Sequence, residues 1–292
     1  MKTNLVERMK KIGSVPALLG QKFRNVVTPA APVRRRSQSL KSTVVGEQVE
    51  VNPTKVYGLG VSLQSNSYQS MAEELRMIKR PLLNNIFGPN GQKFKNANLI
   101  MVTSCFPGEG KSFCTMNLAM NIAMELDRTV LLVDADVSKP SIMESLGVKA
   151  DLGLLDLLQD KSINMRDVLV KTSIPNLSLL PAGRQTPNAT ELLASEAMAS
   201  LLDDMAQRYQ DRVILFDSPP LMVTTESSVL TSHMGQILMV IEAGKTPVSA
   251  IKTAIEMVED CSYVGIAINK TQYKIGFERY GYGYGTYGRH PA

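Results

Sequence analysis

The sequence predicts an α/β fold, a doubly wound and mostly parallel sheet with helices on both faces. Three observations predict it. Short, nearly continuous apolar runs recur, among them Val130-Leu131-Leu132-Val133 and Val213-Ile214-Leu215-Phe216, and strands this apolar are covered on both sides. Helix-period segments separate the runs, which is the alternation that parallel pairing requires. The first run, Leu99 to Thr103, empties into Ser104-Cys105-Phe106-Pro107-Gly108-Glu109-Gly110-Lys111-Ser112, with a helical segment behind it. A strand, a glycine-bearing loop and a helix start in that order make a phosphate-binding loop, because loop amides and the positive helix end converge on an anion. The expected class is therefore P-loop NTPase-like, with nucleotide bound at the carboxyl edge of the strands.

The elements follow in chain order. Residues 1–27 read as a basic amphipathic arm. Over residues 1–41 ten Lys and Arg face Glu7 alone, giving +9, so the remainder carries −4 within a net charge of +5. Leu5, Met9, Ile12, Leu18, Leu19 and Phe23 recur in it near helical spacing. Two readings fit, a short helix on an anionic membrane surface and a solvated tail. Nucleic acid is not an expected partner, since neither aromatic interleaving nor a recognition motif accompanies the charge. Residues 28–67, with Pro29, Pro32, Pro53 and many Ser, Gln and Gly, read as a flexible linker.

A helix is expected over 68–87, where Met71, Leu75, Ile78, Leu82 and Leu83 stripe one face and Pro81 kinks it. Gly88-Pro89-Asn90-Gly91 is a turn. Strands are then expected near 98–104, 129–135, 177–181, 212–217, 236–242 and 263–268. Helices are expected near 111–126, 139–146, 151–159, 189–208 and 247–260. Asn188 with Glu191 reads as a capping box, and Thr246-Pro247 as a cap before a first-turn proline. No stretch approaches the roughly 18 apolar residues of a membrane span, and three cysteines give no disulfide framework. Both suit a cytoplasmic protein.

The chemistry gathers at strand ends. Pro107, Gly108, Glu109, Gly110, Lys111, Ser112 and Phe113 form the nucleotide-binding stretch. Lys111 can reach the β- and γ-phosphates and Ser112 can join a Mg²⁺ shell. The strict pattern fails only at its first glycine, where Cys105 stands. Asp134 and Asp136 end the second strand, and i, i+2 spacing turns both to one face. Asp217 ends a third apolar strand before Ser218-Pro219-Pro220. Mg²⁺ prefers oxygen ligands and keeps several waters, so Ser112, Asp136 and Asp217 are its candidate ligands. Lys111, Asp134, Asp136 and Asp217 are the candidate catalytic set, with ATP and Mg²⁺ the expected cofactors. Asn269, ending the last strand, suits either an adenine contact or a turn.

The region 271–292 is a Tyr/Gly-rich tail containing Tyr280, Tyr282, Tyr284 and Tyr287. Glycine alternation gives nothing to pack, and about twenty residues reach some 65 Å. Tyrosines on such a tether beside a nucleotide site suit phosphate acceptors. A low-complexity contact tail is the other reading.

Together these features resemble the bacterial tyrosine autokinases of exopolysaccharide synthesis and export, and within them the soluble, exosortase-associated branch. P-G-E-G-K-S at 107–112, D-x-D at 134–136 and D-x-P-P at 217–220 match the family's three Walker segments. Leu180-Pro181-Ala182-Gly183, Pro187 to Leu193 and Ala243-Gly244-Lys245-Thr246 extend the likeness across about residues 70–290. The family's oligomerisation helix carries E-x-x-R-x-x-R, matched here by Glu73 and Arg76, with Lys79 in place of the second Arg. The family's Arg two residues after the second Asp is absent, and Lys139 stands one position later.

The resemblance implies transfer of the γ-phosphoryl group of ATP to the tail tyrosines. In that role Asp134 orients or deprotonates the tyrosine hydroxyl and Asp136 supports both metal and Asp134. It also implies a homo-oligomeric ring, a membrane polysaccharide copolymerase as activator, an opposing tyrosine phosphatase and a place at the inner face of the cytoplasmic membrane. The rival is a membrane-associated switch ATPase of the septum-positioning or partition type. Such proteins carry a second lysine early in the loop, and Cys105-Phe106-Pro107 contains none.

Overall fold

The computed structural model describes residues 48–51, 66–89, 94–224 and 226–271. The basic arm and the tyrosine cluster lie outside them. The chain runs α1 (Asn66–Phe87), β1 (Leu99–Ser104), α2 (Lys111–Ala123), β2 (Thr129–Asp134), α3 (Ile142–Leu146), α4 (Leu154–Gln159), α5 (Met165–Val168) and β3 (Val170–Lys171). It continues through β4 (Leu177–Leu180), α6 (Ala189–Leu193), α7 (Glu196–Arg208), β5 (Arg212–Asp217), α8 (Glu226–Thr231), β6 (Gln236–Glu242), α9 (Val248–Glu256) and β7 (Tyr263–Asn269).

The strands form one seven-stranded sheet in the order β3-β4-β2-β5-β1-β6-β7. Every pairing is parallel except β3 on β4. Parallel pairing puts the carboxyl ends of six strands on one edge, and register then sets the site. Asp217 pairs with Val102 on one side and with Asp134 on the other. Two carboxylate-bearing positions are thus level with each other beside the strand that feeds the phosphate loop.

Apolar strands need two covers, and the side chains divide accordingly. Ile100, Val102, Val130, Leu132, Val213 and Leu215 pack with α1, α2 and α3. Met101, Leu131, Val133, Ile214 and Phe216 pack on the other face with α4, α7 and α9. In α1, Met71, Leu75 and Leu82 are buried and Ile78 and Leu83 partly so, as the stripe predicts. Every residue of α2 from Cys114 to Ala123 is buried, because it lies between the sheet and α1. Pro81 lies inside the single helix α1. Among the described residues no helix is long and apolar enough to cross a membrane.

Several expected boundaries are corrected. The helix expected from 139 begins at Ile142, because Asp134 takes the Ser141 and Ile142 amides. The one expected from 151 begins at Leu154, because Asp156 binds the Gly153 amide. The single helix over 189–208 breaks in two at Ser195, whose hydroxyl accepts the Met198 N–H at 3.3 Å and starts α7. Asn188 makes no side-chain cap bond. Pro247 is itself the cap of α9, since the Thr246 hydroxyl is bound to Glu242 and Glu109. The short α5, β3 and α8 were not expected, being too brief to show a period.

Within the stretch assigned to linker, residues 28–47 and 52–65 lie outside the described residues, and 48–51 differ from that reading. Val49 exchanges backbone hydrogen bonds of 2.9 Å with Lys171 and Ser173 beside β3, and Val51 is 3% exposed in the core. Two alternating valines are enough to cover a sheet edge, and this one would otherwise carry unpaired backbone groups.

Candidate active site

The loop between β1 and α2 depends on two left-handed glycines, Gly108 at φ 84° and Gly110 at φ 96°. Gly110 caps α2, and the first amides of that helix have no intrahelical partners. Glu109 does not face outward. It is buried, its Oε2 accepting the Phe106 N–H at 2.8 Å and its Oε1 accepting the Thr246 hydroxyl. The loop carbonyls are satisfied from the end of β7. Asn269 Nδ2 donates to the Glu109 carbonyl at 2.9 Å, and Lys270 Nζ donates to the Gly108 carbonyl at 2.6 Å. Lys270 also pairs with Glu242 at 3.0 Å.

At Gly110 a Cβ would lie 2.2 Å from Asn269 Nδ2. Gly110→Ala therefore adds a clash to a strained φ, and nucleotide affinity should fall at least about tenfold by calorimetry, from strain of about 1–3 kcal/mol. Cys105 is fully buried under the loop with Sγ 3.9 Å from Met239 Sδ. Burial, then the Glu109 charge, pushes its thiol up to about 11, and burial pushes Cys114 up to about 12. Both should react with a disulfide reagent about 100-fold or more slowly than in denatured protein, since only the thiolate attacks.

Two of the three aspartates, Asp136 and Asp217, converge on Lys111. Its Nζ is 2.5 Å from Asp136 Oδ2, 3.9 Å from Asp217 Oδ2 and 3.3 Å from Ser112 Oγ. Asp217 is buried, and its Oδ1 accepts the Thr115 hydroxyl at 3.2 Å. Burial pushes it up to about 6, against the pull of Lys111 and of the Ser112 and Thr115 hydroxyls. Asp134 is also fully buried, with Oδ2 accepting the Ser141 and Ile142 N–H groups at 3.2 and 3.1 Å. Burial, and next the Asp217 charge, pushes it up to about 7. Asp134 Oδ1 and Asp217 Oδ2 are buried without a hydrogen bond. Two orphaned carboxylate oxygens, two hydroxyls and a lysine form a donor set suited to a phosphate with a hard cation.

The other candidates are placed as follows. Pro107 and Gly108 are exposed at the loop tip, and the Phe113 ring packs toward the core. Lys139 engages Asp136 through its backbone N–H, and its side chain is exposed. Glu73 and Arg76 are exposed and ion-paired with each other, whereas Lys79 is buried against α2, bonded to the Asn121 carbonyl and to Glu125. Thr115, Glu242 and Lys270 take part without being singled out from sequence, and Thr246, expected as a helix cap, instead binds Glu109. Thr115 alone had a usable signal, one helical turn after Lys111.

This fold and site define a phosphate-loop nucleotide-binding domain. The family described as "AAA domain" matches residues 97–267. The putative tyrosine-protein kinase EpsB of Ralstonia nicotianae is 34% identical over 197 residues, 66% of this chain and 25% of EpsB. The tyrosine-protein kinase YwqD of Bacillus subtilis is 32% identical over 189 residues, 64% of this chain and 77% of YwqD. The BceF tyrosine kinase domain superposes with a TM-score of 0.59 at 29% identity, covering 71% of this chain and 81% of that one. The chain belongs to the bacterial tyrosine kinase family. It spans about a quarter of the length of several curated relatives.

Proposed function

We propose that the chain is an ATP-dependent protein-tyrosine autokinase that phosphorylates its own Tyr280, Tyr282, Tyr284 and Tyr287 and so regulates exopolysaccharide synthesis or export. The observation that carries this reading is the bond from Lys270 to the Gly108 carbonyl. It holds Lys270, ten residues before Tyr280 in the sequence, at the phosphate loop, which supports an acceptor role for those tyrosines.

Catalysis of phosphoryl transfer is mainly positioning and charge neutralisation. The loop amides and Lys111 bind the phosphates, with Lys111 exchanging Asp136 for phosphate oxygen. Ser112, Asp136 and Asp217 would hold Mg²⁺, which supplies charge neutralisation when bound. Asp134, fixed through Oδ2, keeps Oδ1 for the tyrosine hydroxyl proton, and its raised pKa suits a base working near neutrality. Asn269 and Lys270 hold the loop in shape from behind. By analogy with the family, Glu73 and Arg76 contribute to a homo-oligomeric ring. A membrane polysaccharide copolymerase activates the kinase, a tyrosine phosphatase opposes it, and the protein sits at the inner membrane face, in the exosortase-associated branch.

The test is phosphopeptide mass spectrometry after incubation with ATP and Mg²⁺, with and without the cytosolic segment of such a copolymerase. Phosphotyrosine at 280–287 is expected. Released phosphate with an unmodified tail would instead identify a switch ATPase.

A further inference from the structure

A second basic site, sharing Arg76 with the proposed ring contact, lies at the opposite end of α2 from the loop. There α1 and the turn after α2 enclose a cleft of about 380 Å³. Its floor is apolar, formed by Leu83 and Phe87. Its walls carry Arg76, Lys79, Arg80 and Arg128 against the single carboxylate of Glu125. Lys79 uses that carboxylate, at 2.5 Å, and Arg76 is paired with Glu73. Among the described residues, neither Arg80 nor Arg128 has a carboxylate within 4.0 Å. Arg128 is held instead over the Phe87 ring, 3.7 Å from its centroid. Arg128 also donates to the Asp127 carbonyl at 3.4 Å and shares the Glu125 charge with Lys79 and Arg76. One carboxylate thus stands against the four cations of the cleft, and among the described residues Arg80 has none within 4.0 Å. On the adjoining turn Met124 is 61% exposed and Leu126 93% exposed.

We propose that this cleft binds phosphotyrosine, and that its occupant is the chain's own C-terminal segment, residues 272–292, once phosphorylated. The inference rests on the phosphotyrosine product proposed above. Guanidinium forks match a phosphate dianion with paired, charge-assisted hydrogen bonds, and Leu83, beside the Arg128–Phe87 stack, offers an apolar surface for the phenyl ring.

Charge complementarity makes the docking conditional. The unmodified segment carries Lys274, Arg279 and Arg289 against Glu278 alone, so the cleft repels it. Each phosphate adds about −1.5 to −2, so one cancels this charge of +2 and a second reverses its sign. Met124 and Leu126 extend an apolar rim for the neighbouring tyrosines. Reach is sufficient, since α2 separates loop and cleft by about 20 Å and the segment can extend to about 65–70 Å. A lipid surface is the competing source of phosphate; the sign change that phosphorylation brings to the segment favours the tail, and the vesicle arm of the test separates the two.

The test uses a synthetic peptide of residues 278–289, phosphorylated at Tyr280, Tyr282 and Tyr284, titrated by fluorescence anisotropy into unphosphorylated full-length protein. It should bind at least about tenfold more tightly than the unphosphorylated peptide, the size of gain that one charge-assisted pair supplies. The preference should shrink with Arg80→Ala and vanish with Arg80→Ala/Arg128→Ala. Arg80 is exposed, so the single variant decides the matter even if the double variant loses stability. Equal binding of the two peptides, or a preference untouched by Arg80→Ala, overturns the proposal. So does retention of the protein by phosphatidylserine vesicles through these arginines without peptide binding. The peptide is phosphorylated in advance, so a failed autokinase assay and a failed docking assay are separate results.

Discussion

Lys111→Met should reduce phosphotyrosine formation by about 10²–10³-fold or more, the loss that follows removal of one preorganised charge donor. Methionine nearly preserves length and apolar packing, so the change isolates the ammonium. That ammonium is the cation closest to Asp136 and Asp217, its side chain is 11% exposed, and the two carboxylates are 7% and 0% exposed. A second effect follows from the same geometry. Without Lys111 two or three buried carboxylates face one another uncompensated, and breaking a buried pair in this way costs about 3–5 kcal/mol. The nucleotide-free variant should therefore unfold at a lower temperature than wild type at pH 8. The gap should narrow toward pH 5, where Asp134 and Asp217, pushed up to about 7 and about 6, hold protons. Calorimetric melting across that range, beside phosphopeptide quantification, reads both effects. A variant as stable as wild type at pH 8 would mean that the ammonium does not neutralise this cluster.

Much of this site is legible from sequence because parallel strands translate sequence position into place. Asp134 and Asp217 end apolar runs, and runs buried on both faces pair in register, so their last residues meet at one edge. Gly108, Gly110 and Lys111 are legible because a strand-to-helix turn around an anion needs left-handed backbone and a cation there. Residues whose partners come from distant elements are not legible. Lys79 reads as a surface residue one turn from Arg76, and only α2 supplies the Asn121 carbonyl and Glu125 that draw it inward. Glu109 reads as part of the nucleotide-binding stretch, and only the fold brings Thr246 from the turn after β6 to take up its carboxylate. Lys270 needs both a left-handed φ of 58° and the proximity of Gly108. Val49 and Val51 are too few to show a strand period, yet they cover the β3 edge.

Asp134→Asn should separate function from stability. The carboxylate is fully buried, one oxygen takes two amides, and the other has no partner. Asparagine keeps an acceptor for the Ser141 and Ile142 amides and replaces the orphan oxygen with N–H donors near the Asp217 charge. It cannot accept a tyrosine proton, so phosphotransfer should fall by about 10²–10⁴-fold. Stability should move the opposite way. The carboxyl's pKa rises from 3.8 unfolded to about 7 folded, so the native state holds the proton more tightly. That contribution to stability is complete below about pH 4 and is lost as pH climbs toward 7. Asp217, pushed up to about 6, loses its own contribution over the same range. In EDTA without nucleotide, wild type should therefore weaken steadily from pH 4 to pH 7. Asp134→Asn should weaken less and melt several degrees higher at pH 8. A variant that melts lower than wild type at pH 8 would show that the buried charge is compensated, and the base assigned to this chemistry would have to be sought elsewhere.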